Sequence, residues 1–326
     1  MERTQPKNFG GLSDTGMKPL LELTVIMYHY VRDRGDMAEA GSGIPGMSVG
    51  DFEVQLDELS HQHTFVAWPA VRAALQGNRP LPNSACLLTF DDGICDHYLN
   101  VFKILHERSL SGLFFVLARD ETDGLILAHK IHFLLASLGL ARLRQAIWEK
   151  LNPAQREQFT QAEKRYRLKY PPVSSEGRIN LLKAVLQRDL SPEVDTLLLD
   201  LFEEHVGPES ETARNYYLNL EQIQEMAAGG MHFGGHSHSH PWFDWIDSGN
   251  RTAEISASAA WLRQIEPGPW AFAYPYGGFS KDAPQLLKAH GFVAAFTTKA
   301  QLYHSNPYFI GRLDGEELAH EGLGYA

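Results

Sequence analysis

Short, almost wholly apolar runs recur along the chain, separated by stretches in which apolar residues return every third or fourth position. The runs 23–28, 85–90, 112–117, 231–235 and 292–296 predict buried strands, because a strand covered on both faces loses the polar alternation of a half-exposed one. Segments 51–61, 98–107, 219–228 and 252–265 predict helices. The first sets Phe52, Leu56 and Leu59 on one face, and the third opens on Asn219, a good N-cap. Strand and helix in alternation predict an α/β protein whose parallel strands, about seven of them, curl into a distorted (β/α) barrel.

The alternation lapses from 121 to 215, where the chain is charged, carries Leu and Ile at helix spacing and is interrupted by Tyr170-Pro171-Pro172. A stretch this long exceeds any ordinary connection between a strand and its helix, which predicts a helical insertion or lid over one end of the barrel. Residues 1–16, rich in Gly and polar groups, read as a flexible tail. The expected organisation is one barrel over 17–326, interrupted by the insertion 121–215.

Composition narrows the partners. A hydrophobic content of 44% suffices for a real core, and a net charge of −11, with no Lys/Arg stripe of the kind phosphate backbones require, argues against nucleic acid. Apolar runs such as 131–140, broken by His132 and Ser137, fall well short of the ~20 residues needed to cross a bilayer, so no membrane-spanning segment is expected. The first twenty residues lack the basic start, apolar stretch and cleavage site of a secretory signal, and the only cysteines are Cys86 and Cys95. Both features point to a reducing, cytoplasmic setting.

Candidate chemistry gathers at predicted strand ends. Asp91 and Asp92 follow the run 85–90 directly, and Gly93 then lets the chain turn. The second cluster is Gly235-His236-Ser237-His238-Ser239-His240-Pro241-Trp242, again just past a short strand. Two imidazoles and one carboxylate form the mixed nitrogen and oxygen set of catalytic zinc-type sites, and either Asp91 or Asp92 can supply the oxygen.

Thr89-Phe90-Asp91-Asp92-Gly93, then His236-Ser237-x-x-His240, then Phe272-Ala273-Tyr274-Pro275-Tyr276-Gly277 together resemble the polysaccharide deacetylases, carbohydrate esterase family four, with the motifs in the family's order. The resemblance covers about 20–118 and 216–313. It implies that Asp92, His236 and His240 hold a divalent metal, Zn²⁺ foremost with Co²⁺, Ni²⁺ or Fe²⁺ as alternatives. It further implies Asp91 as general base and the Tyr276 backbone N–H as a donor to the oxyanion.

Two departures from the family pattern matter. The family commonly places an arginine where this chain has Ala273, and Arg312, in Gly311-Arg312-Leu313-Asp314, is the substitute this sequence offers; the alternative is a surface arginine. Without a cation, Asp91 would have a raised pKa. The family's Leu-x-His motif, which supplies a general acid, has matches at His129, His304 and His320, none of which follows a predicted strand. Val25-Ile26-Met27-Tyr28-His29 does end a strand in histidine, as in circularly permuted members, which makes His29 the expected acid.

Other residues are assigned plainer roles. His238 is expected on a wall of the site, since alternate residues of an extended segment face opposite ways. His129 and His132, one turn apart, are read as ordinary helix surface, with a second metal or a reach down onto substrate as the alternative, and Cys95 carries no assigned chemistry. Trp242 and Trp245 divide between a sugar-stacking face and core packing, with Trp242 taken as substrate-binding. The expected function is a metal-dependent N-deacetylase acting on an N-acetylated sugar, a cytoplasmic precursor of a cell-surface glycan. Alternatives are a deformylase or other amide hydrolase on the same metal site, and an inactive metal-containing carbohydrate-binding module.

Overall fold

A computed structural model of the chain describes residues 23–33, 44–120, 122–190, 193–299 and 306–321; the expected tail 1–16 and His304 lie outside them. In chain order, β1 (Leu23–Tyr28) leads into α1 (Val49–Gln62), β2 (Thr64–Phe65) and α2 (Trp68–Leu75). After β3 (Ala85–Phe90) comes a π-helical turn (His97–Phe102) that continues as α3 (Lys103–Glu107), then β4 (Gly112–Val116). Five helices follow: α4 (Leu127–Lys150), α5 (Pro153–Tyr166), α6 (Ser175–Ala184) with its π-helical extension Val185–Asp189, α7 (Glu193–His205) and α8 (Glu209–Tyr216). The alternation then resumes with α9 (Leu220–Ala228), β5 (His232–Gly235), α10 (Ser248–Leu262), β6 (Trp270–Ala273), α11 (Ala283–Ala289), β7 (Phe292–Phe296), β8 (Leu313–Asp314) and α12 (Gly315–Glu321).

The strands lie in the order β7-β6-β5-β4-β3-β1-β8, with β2 also pairing β3, and every pairing is parallel. The result is the expected distorted (β/α) barrel, here a curled half-barrel. Its open side is bridged by one segment: Ile310 pairs with Phe296 of β7, and Leu313 with Ile26 of β1. Arg312 therefore sits between the two edges.

Period-two alternation divides the strand side chains between two cores. Val25, Leu87, Phe115, Ala273 and Phe296 point inward and are closed below by Trp68 and Val71 of α2. Ile26, Tyr28, Leu88, Phe90, Phe114 and Phe272 point outward against the helices. Helices α4 to α8 are organised about a third core, which includes Phe133, Leu143, Phe159, Leu186, Leu198 and Phe202. No helix among the described residues is long and apolar enough to cross a membrane.

Three strands differ from the sequence expectation. β2 and β8 span two residues each, too few for a periodic signal. β6 is four residues long and runs directly into Tyr274-Pro275, so its apolar character merges with the motif that follows.

Candidate active site

Parallel strands deliver their carboxyl ends to one rim, and the motif residues stand there. Asp91 N–H donates to the Tyr28 carbonyl at 2.9 Å, extending the β1–β3 ladder by one residue. The chain then turns abruptly through left-handed backbone at Asp92 (φ 75°) and Gly93 (φ 63°). A Cβ on Gly93 would stand 3.0 Å from Val116 Cγ1, so the turn also needs glycine for room. Six described non-glycine residues have positive φ, and four of them, Asp92, Ser237, His240 and Tyr276, belong to the three motifs. Backbone strain of this kind persists where surrounding structure enforces it, and it clusters at functional sites.

Asp92, His236 and His240 are buried, and one ligand atom from each lies within 4.8 Å of the others. Asp92 Oδ1 is 3.2 Å from His236 Nε2 and 3.4 Å from His240 Nε2, and the two imidazole nitrogens are 3.2 Å apart. His236 Nδ1 donates to the Ala273 carbonyl at 2.8 Å, which leaves Nε2 with its lone pair toward the cluster. Burial drives the His240 pKa down to about 3 despite Asp92, so this ring is neutral. Burial also lowers His236, but the charges of Asp91 and Asp92 outweigh it and raise the group overall. Asp92 Oδ1 is buried without a hydrogen-bond partner. An orphaned carboxylate oxygen and two imidazole nitrogens that converge on one another form a donor set that fits a divalent cation.

Asp91 is held apart from this cluster. Both of its oxygens receive hydrogen bonds from the buried Arg312 guanidinium, Nη1 to Oδ1 and Nη2 to Oδ2, each at 2.6 Å. Arg312 is itself tied by Nε to the Thr297 carbonyl (3.1 Å) and by Nη1 to Thr89 Oγ1 (3.3 Å). Burial raises the Asp91 pKa, but Arg312, with His236 and His29, brings it below the ordinary carboxylate value. The surface alternative for Arg312 is thus overturned: the cation absent at Ala273 reaches Asp91 from the closing segment. Ala273 instead faces the inner core and lends its carbonyl to His236.

His29 follows β1, half-buried, with its carbonyl accepting from His97 Nε2 at 2.9 Å. The Tyr276 ring lies edge-on to His240 at 4.5 Å and stacks on Trp242 at 4.1 Å. The Arg188 guanidinium sits 3.7 Å over the same indole. Two groups that close cannot share a face, so Trp242 is sandwiched, and its Nε1 is left buried and unpaired. Trp245 is exposed. His238 turns away, with Nδ1 2.6 Å from the Ala118 carbonyl. Cys95 is buried and free, its thiol pushed up to about 12 by burial.

His129 contradicts its sequence reading as ordinary helix surface. It is fully buried, with Nε2 3.1 Å from Asp92 Oδ2 and Nδ1 2.7 Å from the Tyr217 hydroxyl. Arg188 also reaches the site from the helices between β4 and β5. Leu127-Ala128-His129 was a visible signal, but which face of α4 is buried depends on partners distant in sequence. A cavity of about 620 Å³ opens beside Asp92 and Gly93, walled by Arg119, Asp120, Tyr217 and Trp261. Neither His236 nor His240 lines it, so it abuts the cluster rather than containing it.

Fold and site together define a parallel half-barrel with a two-histidine, one-aspartate cluster at its strand ends. Residues 201–295, which hold the second and third motifs, match the family model for polysaccharide deacetylase, and the family resemblance read from the motifs is borne out. No curated protein matches the chain by sequence. Among solved structures, the Streptococcus pyogenes deacetylase PplD in complex with acetate is similar in fold, with TM-score 0.56, 17% identity, and coverage of 91% of this chain and 93% of that one. IcaB from Ammonifex degensii gives TM-score 0.56 and 19% identity over 92% and 94%. A de-N-acetylase from Aggregatibacter actinomycetemcomitans gives 0.52 and 15% over 89% and 94%.

Proposed function

We propose that the protein is a metal-dependent N-deacetylase that hydrolyses the acetamido group of an N-acetylated sugar. The observation that carries this reading is the pairing of a convergent Asp92–His236–His240 donor set with a separate, Arg312-clamped Asp91 carboxylate. A divalent metal held by Asp92, His236 and His240, Zn²⁺ foremost with Co²⁺, Ni²⁺ or Fe²⁺ as alternatives, would supply Lewis-acid polarisation of the acyl oxygen and acidify water.

The protein's own groups do the rest. Asp91, kept ionised by Arg312, takes a proton from the attacking water. The Tyr276 backbone N–H donates to the developing oxyanion, and its ring holds His240 in place. His29 protonates the leaving amine as the C–N bond breaks, giving acetate and a free amino sugar. With both faces covered by Tyr276 and Arg188, Trp242 serves as a wall of the site rather than a stacking surface for the sugar.

Helices α4 to α8 act as an insertion that encloses this end of the barrel, since His129 bonds Asp92 and Arg188 covers Trp242. That enclosure favours a small sugar conjugate, nucleotide- or lipid-linked, over a long polymer. The free cysteines fit a cytoplasmic setting for such a precursor.

The test is product release from a panel of N-acetyl and N-formyl sugars, free, nucleotide-linked and polymeric, with added metal and with chelator. Metal-dependent acetate release from a small conjugate is the expected result. Formate release alone would make the protein a deformylase. Sugar binding with neither product at saturating metal would make it a recognition module.

A further inference from the structure

We propose that His129, carried by α4, is a positioning residue that assigns the two oxygens of Asp92 different tasks; the proposal rests on reading Asp92, His236 and His240 as a metal site. Three hydrogen bonds in series fix its state. The Asp92 carboxylate can only accept, so His129 Nε2 carries a proton and donates to Oδ2 at 3.1 Å. In the neutral ring Nδ1 is then the acceptor, taking the Tyr217 hydroxyl proton at 2.7 Å, and the Tyr217 oxygen accepts in turn from the Ile126 N–H at 3.1 Å. His129 is fully buried, so no water competes for either nitrogen.

This arrangement divides the carboxylate. Oδ2 is occupied by His129, whereas Oδ1 has no hydrogen-bond partner and faces the Nε2 atoms of His236 and His240. Carboxylates that ligate a metal are generally held by such an outer partner, which orients them. His129 is not itself in the convergent ligand set, and with both nitrogens engaged it is neither a ligand nor a free proton donor.

The backbone reinforces the link. Tyr217 pairs with Ile94 in an isolated antiparallel bridge, Leu218 N–H donates to the Gly93 carbonyl at 2.9 Å, and Cys95 N–H donates to the Tyr216 carbonyl at 2.8 Å. The end of the helical region is thereby zipped onto the loop that follows Asp92. The helices beyond β4 thus set the geometry of the metal carboxylate as well as covering it.

The experiment uses the full chain, stripped of metal and titrated with Zn²⁺ in competition with a chromophoric chelator, and with Co²⁺ followed by its visible spectrum. His129→Ala should weaken Zn²⁺ binding about 10- to 100-fold and alter the Co²⁺ spectrum. His129→Gln, whose amide can donate in place of the Nε2–H, should recover most of both, and Tyr217→Phe should fall between. If the wild-type chain binds no metal, the underlying site assignment fails. If it binds metal and Asp92→Ala does not, but His129→Ala and Tyr217→Phe match wild type in affinity and spectrum, the positioning role alone is overturned. Should His129→Ala fail to fold, Tyr217→Phe decides: a weakened site supports the role and an unchanged one removes it.

Discussion

The strand ends that carry Asp91, Asp92, His236 and His240 are held by continuous parallel pairing and by left-handed backbone at Asp92, Ser237 and His240. His129 arrives differently, on a helix whose Phe133 packs against Phe202 and Tyr216 in a separate core. The two regions meet at Asp92, one fixing where the carboxylate begins and the other which way its oxygens point. Chemistry placed by a sheet is set by local register, while chemistry placed by an insertion depends on packing far along the chain.

The largest effect is expected at Asp91, which is held by the sheet and its closing segment. Asp91→Asn should lower kcat/KM by about 10²- to 10⁴-fold, the usual worth of a general base, while leaving metal affinity intact. Loss of metal affinity in that variant would show that the two aspartates are not functionally separate. Arg312→Met leaves a buried carboxylate without its partner and should cost about 3–5 kcal/mol in denaturant unfolding. It should also move the acid limb of the pH–rate profile upward, because the largest opposition to burial at Asp91 is gone. Phe202→Ala in the insertion core should cost about 3–5 kcal/mol, read as a helical transition preceding that of the barrel. If metal affinity survives loss of that helical signal, the insertion does not shape the site.

Acid sensitivity gathers in the segment that follows β3. His97, fully buried beside β3, is held down to about 4 by burial. The unfolded value is about 6.5, so between the two values the folded state binds fewer protons and stability falls as pH drops, by roughly 3 kcal/mol in all. His97→Gln should flatten unfolding free energy across that window. Asp91 and Asp92 have depressed values, so the stability they contribute is present above the unfolded carboxylate value and is lost as pH falls through the lower folded ones. The smallest expected effect is that of Arg188→Ala, which uncovers one face of Trp242 and should cost about 0.5–1 kcal/mol, with a visible change in indole fluorescence.

The sheet's part of the site was largely legible in the sequence. Asp91, Asp92, His236 and His240 stand beside apolar runs, and a parallel strand's carboxyl end is a predictable location. Arg312 was visible as a candidate, but its burial follows from the bridging of β7 to β1 by two short pairings, for which a two-residue strand leaves no periodic trace. His129 illustrates the harder case. Leu127-Ala128-His129 matched a motif, yet α4 carries apolar residues around most of its circumference, so periodicity could not say which histidine faces inward. Its partners, Asp92 and Tyr217, lie on either side of it in the chain and are joined to it only by the fold.

The most direct test of the whole account is metal stoichiometry and affinity, measured by calorimetric titration of the metal-free chain with Zn²⁺, for wild type, Asp92→Ala, His240→Ala and Asp91→Asn. One site is expected in wild type and in Asp91→Asn, and none in the other two. Retention of that site in Asp92→Ala, or its absence from the wild-type chain, would contradict it.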